Sequence, residues 1–348
     1  MSFGTFGSRM VVAILCVIGL IIAVGTFQHP PVELIQRGYR GTGSLEVYNP
    51  ADLAAKQAAN QLPQSTPRPD TSGQTAGQSF QNVQILKDVD STEFIRLMTD
   101  ITAWVAPDQG CAYCHADGEA LSSDKLYTKV VARRMLQMTM HINGDWKQHV
   151  ADTGVTCFTC HRGQPVPSNV WFRNGGPPTA PGSGGDRTDQ NWPIAANGRT
   201  SLPFDPLTPF LDQSSDVRVV STSALPEGNR HSIKETEWTY SLMINMSEAL
   251  GVNCTFCHSS RSFTDWDQST PARATAYYGI RLVRDLNTAF LDPLASQFPH
   301  DRLGPLGDGP KVNCATCHQG AYKPLFGASL LKDYPELAGA DAAPSSTR

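Results

Sequence analysis

Four short stretches of this chain repeat one pattern, and that pattern limits the possible folds more than any other feature. Each is Cys-x-x-Cys-His: Cys111, Cys114 and His115; Cys157, Cys160 and His161; Cys254, Cys257 and His258; Cys314, Cys317 and His318. Eight of the nine cysteines lie in these copies. A Cys-x-x-Cys pair can serve a dithiol switch, a zinc site or a covalently attached haem. A dithiol switch needs no following histidine, and a zinc site pairs Cys-x-x-Cys with a second ligand pair at variable distance. A c-type haem uses all three residues: the thiols add to its vinyl groups as thioethers and the histidine becomes the proximal iron ligand. The recurrence predicts four covalently bound haem c groups. A disulfide or zinc scaffold is the competing reading, and it leaves the four histidines unexplained.

A chain built around four such groups needs less apolar core of its own, and the composition agrees. Of 348 residues only 17% are charged, with 29 glycines and 25 prolines, which predicts a loop-rich protein. The formal charge is −4. Eight haem propionates would bring the loaded protein to about −12 if all ionise. Such a surface disfavours nucleic acid and suits a basic soluble redox partner.

Met10 to Phe27 is a run of eighteen residues without a charge, preceded by Arg9. That length is near the lower limit for a membrane span, and the arginine predicts a cytoplasmic N-terminus (1–9) with the rest outside. A cleaved signal peptide is the competitor. Cys16 follows Leu15, a poor context for lipoprotein processing, so it reads as an apolar residue of the span. The expected location is the cytoplasmic (inner) membrane, single-pass, with the bulk of the chain on the periplasmic side.

Stretches 60–80 and about 164–226 have linker composition, and the second separates two halves that carry two motifs each. TGVTCFTCHRGQP resembles PKVNCATCHQGAYKP, which points to internal duplication. Amphipathic helices are predicted before the motifs. Phe94, Leu97, Met98 and Ile101 share one face, with Asp90 and Glu93 as a capping box. Tyr127, Val131, Met135, Met138 and Ile142 share another, stopping at Asn143-Gly144. A third helix starts at Ser232-x-x-Glu235, carries Met243, Met246 and Leu250, and ends at Gly251; a fourth covers TPARATAYYGIRLVRDLNTAF. The predicted fold is mainly α with long loops: two pseudo-symmetric dihaem halves plus one N-terminal transmembrane helix. The expected segments are an anchor (10–27), an extension and linker (28–90), a first dihaem half (91–165), a connector (166–230), a second half (231–325) and a C-terminal tail (326–348).

Each iron also needs a sixth ligand, Met or His in an electron carrier, unless its open position is used for catalysis. Met98 lies thirteen residues before Cys111, and Met243 eleven before Cys254, each on a helix leading to its motif. These are the candidates there. Met135, Met138 and Met140 all precede Cys157 and spacing does not choose among them, although the helical stripe disfavours Met140. Between Gln268 and Val312 there is no Met and one histidine, His300. The fourth motif must use His300 or a distant histidine, with His141 and His149 surplus in the first half and His29 and His231 more remote.

The runs MLQMTMHINGDWKQHVADTGVTCFTCHRG, RGYRGTGSLEVYNP, GVNCTFCH, STPARATAYYGIRLVRDLN and KVNCATCHQG resemble the tetrahaem cytochrome c subunit of purple-bacterial photosynthetic reaction centres, from about Gly38 to Leu325. The resemblance implies three His/Met haems and one His/His haem. Met98 would pair with His115, Met135 with His161 and Met243 with His258, while His149 would reach across to the haem of His318. It also implies a near-linear array with the third haem nearest the bacteriochlorophyll special pair. Arg273 matches a family arginine beside that haem, where a positive charge would raise its potential; an ordinary helix-start charge is the alternative. Some members are lipoproteins, and Cys16 departs from that pattern.

The function implied is electron transfer from a soluble donor, such as a small cytochrome c or a high-potential iron-sulfur protein, to the photo-oxidised special pair. The expected partners are the reaction-centre core subunits, the membrane and light-harvesting antenna. No catalytic residue is expected. Two rivals are a membrane-anchored tetrahaem quinol dehydrogenase and a multihaem peroxidase or reductase. Spacings of 46, 97 and 60 residues between successive first cysteines are wide for the former.

Overall fold

The computed structural model describes residues 3–26, 32–36, 45–176, 191–217, 219 and 232–339. His29, His231 and parts of the 166–230 connector and of the C-terminal segment lie outside them.

The apolar run forms helix α1, Phe3–Thr26, whose stretch Gly7–Thr26 has a mean hydropathy of 2.5 and buries nothing against the rest of the chain. Twenty residues at 1.5 Å each cover about 30 Å, the thickness of a bilayer's hydrocarbon core. An antiparallel hairpin follows, with β1 (Glu33–Gln36) paired to β2 (Leu45–Tyr48). Its inner side is tied into the body of the protein. Buried Glu46 accepts from Asn253 N at 2.8 Å, and Tyr48 Oη donates to Gly251 O at 2.8 Å.

The rest is helical with long connections: α2 (Pro50–Ala59), α3 (Ala76–Ser79), α4 (Ser91–Val105), α5 (Tyr127–Asp145), α6 (Lys147–Val150), α7 (Cys157–His161), α8 (Ile233–Leu250), α9 (Pro271–Asp285) and α10 (Cys314–His318). The four predicted helices are α4, α5, α8 and α9. At the start of α8 the Ser232 hydroxyl accepts from Glu235 N and the Glu235 carboxylate accepts from Ser232 N, a closed capping box. The box expected at α4 is half made. Asp90 caps Thr92 N at 2.9 Å, but the Glu93 carboxylate is taken by buried Arg96. Helix α5 runs past Asn143-Gly144 because Asn143 is buried and spends its amide on Val155 O and Leu337 O, so it does not act as a stop. Helix α9 ends at Asp285 and widens into a π-helical turn, Leu286–Leu291.

Three apolar clusters hold these elements. The first joins Leu97 and Trp104 of α4, Leu136 of α5 and Cys157 of α7 to Tyr334 and Leu337 near the chain's end. The second joins Leu242 and Met246 of α8 to Ile280 of α9, Trp171 and the Leu207–Leu211 stretch. The third is shared across the molecule, with Ile142 of α5 against Leu282, Leu286, Phe290 and Leu291, and with Val312 just before the last motif. α8 ends at Gly251, φ 63°, where a Cβ would lie 2.2 Å from Gly320 O. Only glycine lets the backbones before the third motif and after the fourth approach so closely.

Candidate functional site

The second and fourth motifs fold alike. α7 and α10 are single turns, each opened by a threonine hydroxyl that accepts from the backbone N–H three residues before it (Thr159 Oγ1 from Thr156 N and Thr316 Oγ1 from Asn313 N, both 3.0 Å) and closed by a left-handed residue, Arg162 (φ 50°) and Gln319 (φ 47°). Their closing side chains cross between the two turns. Arg162 Nη2 donates to Cys317 O at 3.2 Å, and Gln319 Nε2 donates to Cys160 O at 3.4 Å. The first and third motifs instead begin in 3₁₀ turns, Gly110–Tyr113 and Cys254–Phe256.

All four motif histidines are oriented in one way. Nδ1 of His115, His161, His258 and His318 lies 2.8–3.0 Å from a backbone carbonyl, of Leu121, Gln164, Phe263 and Ala321 respectively. A carbonyl only accepts, so Nδ1 carries the proton and Nε2 is left with its lone pair, as a metal ligand requires. Burial lowers the pKa of His161, His258 and His318, the last to about 4, which favours the neutral ring that a metal binds.

His149 shares this arrangement although it belongs to no motif. Its Nδ1 donates to Thr275 O of α9 at 2.9 Å, and burial lowers its pKa. Its ring centroid is 6.1 Å from that of His318. Two metal–imidazole bonds of about 2 Å, plus the distance from each nitrogen to its ring centre, span about 6 Å. The pair therefore fits one iron. Gly279 makes room, since a Cβ there would lie 2.6 Å from His149 Cε1. The other histidines of the described region differ. His141 has both ring nitrogens 2.6 Å from carboxylates, Asp145 and Asp285, and His300 is exposed at the head of a short 3₁₀ turn.

The methionines lie on the predicted helices. Met98 of α4 packs against the first cluster, Met243 of α8 against the second and Met135 of α5 against the third. Thr139, one turn from Met135, donates to Met135 O at 2.9 Å and lies close enough to the buried Cys157 thiol to offset part of its burial-driven pKa rise, so this side of α5 faces the second motif. Met138 also packs on the third cluster, and Met140 on the first.

Four of the motif thiols lack the lowered pKa of a dithiol catalyst's nucleophile. Burial raises Cys157, Cys257 and Cys314 to about 11 and also raises Cys114, whereas reactive thiols have lowered values. Among the described residues no three His, Cys, Asp or Glu side chains converge as a metal-binding group. Cys160 and Cys317 are joined sulfur to sulfur, with Cα atoms 4.4 Å apart. One sulfur cannot hold both a disulfide and a thioether, so this bond excludes full haem attachment at both motifs while it persists.

Arg273 sits in the first turn of α9. Its guanidinium donates to Asp265 O at 3.0 Å and Ser269 Oγ at 2.7 Å and stacks 4.1 Å from the Trp266 ring. Its charge also reaches Cys257 and His258: it offsets part of the rise that burial imposes on the thiol and adds to the fall that burial imposes on the imidazole. Sequence reasoning missed the carbonyl acceptors, since any residue supplies one. It missed Gly279 too, although a glycine inside an amphipathic helix was a readable signal.

The profile of one family, the photosynthetic reaction centre cytochrome C subunit, matches residues 28–338. The photosynthetic reaction center cytochrome c subunit of Rubrivivax gelatinosus is 51% identical over 321 residues, covering 92% of this chain and 87% of that protein. That of Thermochromatium tepidum is 50% identical over 308 residues, covering 88% and 76%. That of Roseobacter denitrificans is 40% identical, covering 97% and 94%.

Proposed function

The chain belongs to the family of photosynthetic reaction centre cytochrome c subunits, and on that footing we propose a full ligand set and direction for its electron transfer. It is an electron-transfer subunit of the photosynthetic reaction centre, an electron carrier bearing covalently bound haem c. In the proposal there are four haems, one at each motif, with His115, His161, His258 and His318 as proximal ligands. Met98, Met135 and Met243 complete the first three and His149 the fourth. The observation that carries this reading is the common orientation of five imidazoles, each with Nδ1 given to a backbone carbonyl. The bound haem supplies the one-electron couple; the chain supplies ligand orientation, burial and local charge. The Cys160–Cys317 bond must give way when the second and fourth haems are attached.

The crossed contacts of α7 and α10, and the likeness of the first and third motifs, support two dihaem halves related by a pseudo-twofold axis. The hairpin supports the direction of transfer. Glu33 is seven residues beyond Thr26, a reach of at most about 25 Å, and the same hairpin holds Gly251 and Asn253 just before Cys254. This tether keeps the third haem near the membrane and the special pair. The other end would meet the soluble periplasmic donor, a small cytochrome c or a high-potential iron-sulfur protein, and antenna subunits could flank the chain. Arg273 would raise the potential of the third haem.

Flash spectroscopy on membranes tests the function: haem oxidation should follow special-pair oxidation, and its absence would refute the relay. Axial Met raises a haem's potential, so the bis-His haem should be the lowest or nearly so; His149→Ala should remove that low-potential signal and spare three. If all four signals persist, the fourth ligation is wrong.

A further inference from the structure

Both candidate axial residues of the fourth haem depend on α9 and the π-helical turn that continues it. Thr275 O holds His149 Nδ1, and Gly279, one turn on, lets the ring lie against the helix. At the C-terminal end, Asp285 Oδ2 receives two groups from the opposite half of the chain. His141 Nε2 lies 2.6 Å away and Trp146 Nε1 donates at 3.0 Å. Trp146 is the single residue between α5 and α6, three before His149. Asp285 therefore fixes the corner from which His149 projects. Phe290 stacks on His141 with ring centroids 5.1 Å apart, and the Arg134 guanidinium lies 4.4 Å from Phe290 while donating to Ala289 O at 2.6 Å. These contacts hold α5 along the same junction.

The far side of the junction leads to His318. Two residues after Asp285, wholly buried Asn287 accepts from Val312 N at 2.9 Å and donates to Val312 O at 3.0 Å and Leu211 O at 2.8 Å. Val312 is two residues before Cys314. The π-helical turn Leu286–Leu291 begins between these two anchors, and such turns are rare and concentrated at functional sites.

We infer that Asp285 is the positioning residue of the fourth haem: through Trp146 and His141 it sets the place of His149 relative to His318. The inference rests on the reading that His149 and His318 share one iron. It assigns Asp285 no contact with the haem.

The test uses reaction centres purified with the subunit bound, read by redox titration and low-temperature electron paramagnetic resonance of each haem. Asp285→Ala should shift the signal and midpoint potential of the bis-His haem and leave the three His/Met haems in place. Asp285→Asn keeps an acceptor oxygen for Trp146 and should give a smaller shift. Asp145→Ala removes only the exposed partner of His141 and should leave the fourth haem as in the parent. An unchanged fourth haem in Asp285→Ala, or an equal shift of all four, overturns the inference. If that variant does not accumulate, Trp146→Phe removes one donor and keeps the carboxylate; an unchanged fourth haem there also overturns it. His149→Ala in the same series separates the two levels, since persistence of all four signals would mean that the ligation itself is wrong.

Discussion

Gly279 is the position where a single methyl group should have the most selective effect. Its added Cβ would sit 2.6 Å from Cε1 and 2.9 Å from Nδ1 of His149, and the ring cannot retreat without losing its bond to Thr275 O. In an exposed helix Gly→Ala would gain up to about 1 kcal/mol of helix propensity. Here the clash should dominate: Gly279→Ala is expected to abolish the bis-His signal in a redox titration while three haems titrate as in the parent. An unchanged fourth haem would show that His149 has room to spare. Asp124 offers a second residue-scale expectation. Its hydrogen bond to Arg133, 2.7 Å, holds the carboxyl well below the usual carboxylate range, helped by Asn82. A carboxylate depressed in the folded state stabilises fully above its unfolded value of about 4, and that contribution is lost as the pH falls toward the folded value. Asp124→Asn should therefore lower the melting temperature slightly at neutral pH, the pair being partly exposed, and the gap should close in acid.

At the scale of elements, what the sequence made legible was periodicity. Helices α4, α5, α8 and α9 all lie where apolar spacing predicted them, and the Ser232–Glu235 box was readable because both partners are local. The misses share a cause: a tertiary partner overrode a local rule. Glu93 left its cap for Arg96, which is itself fixed by Asp333 O, and Asn143 gave up its stop to bond Leu337 O. For the site, the four motifs were fully legible as residues. The choice of His149 over His141 was not legible from spacing, and it turns on what each ring nitrogen touches: a carbonyl at one nitrogen in His149, a carboxylate at each in His141. The cap on α8, which carries Met243, gives a measurable check. Ser232→Ala should cost about 1 kcal/mol in denaturant unfolding, with the third-haem spectrum retained in the native baseline.

For the whole molecule, two charges of scale matter: the apolar anchor at one end and the acidic body beyond it. Removing residues 1–26 should release the chain from washed membranes with its haem spectrum intact, as α1 buries nothing against the rest. Recovery of the truncated chain with the pellet would mean that the reaction-centre core or the membrane itself holds the body without α1. The chain's formal charge of −4, before any propionates, predicts that reduction by a basic soluble donor slows as salt rises, because screening shortens the Debye length to about 10 Å at 0.1 M. A rate indifferent to salt would point to an apolar docking patch.

The meeting of Cys160 with Cys317 sets a timetable for biogenesis. The two sulfurs belong to motifs 157 residues apart, and they meet only where α7 and α10 pack on each other. A chain that closed early in an oxidising compartment would lock away one attachment point at each of two sites. On the proposed four-haem reading, attachment at the second and fourth motifs would have to precede this bond or follow its reduction by a thiol.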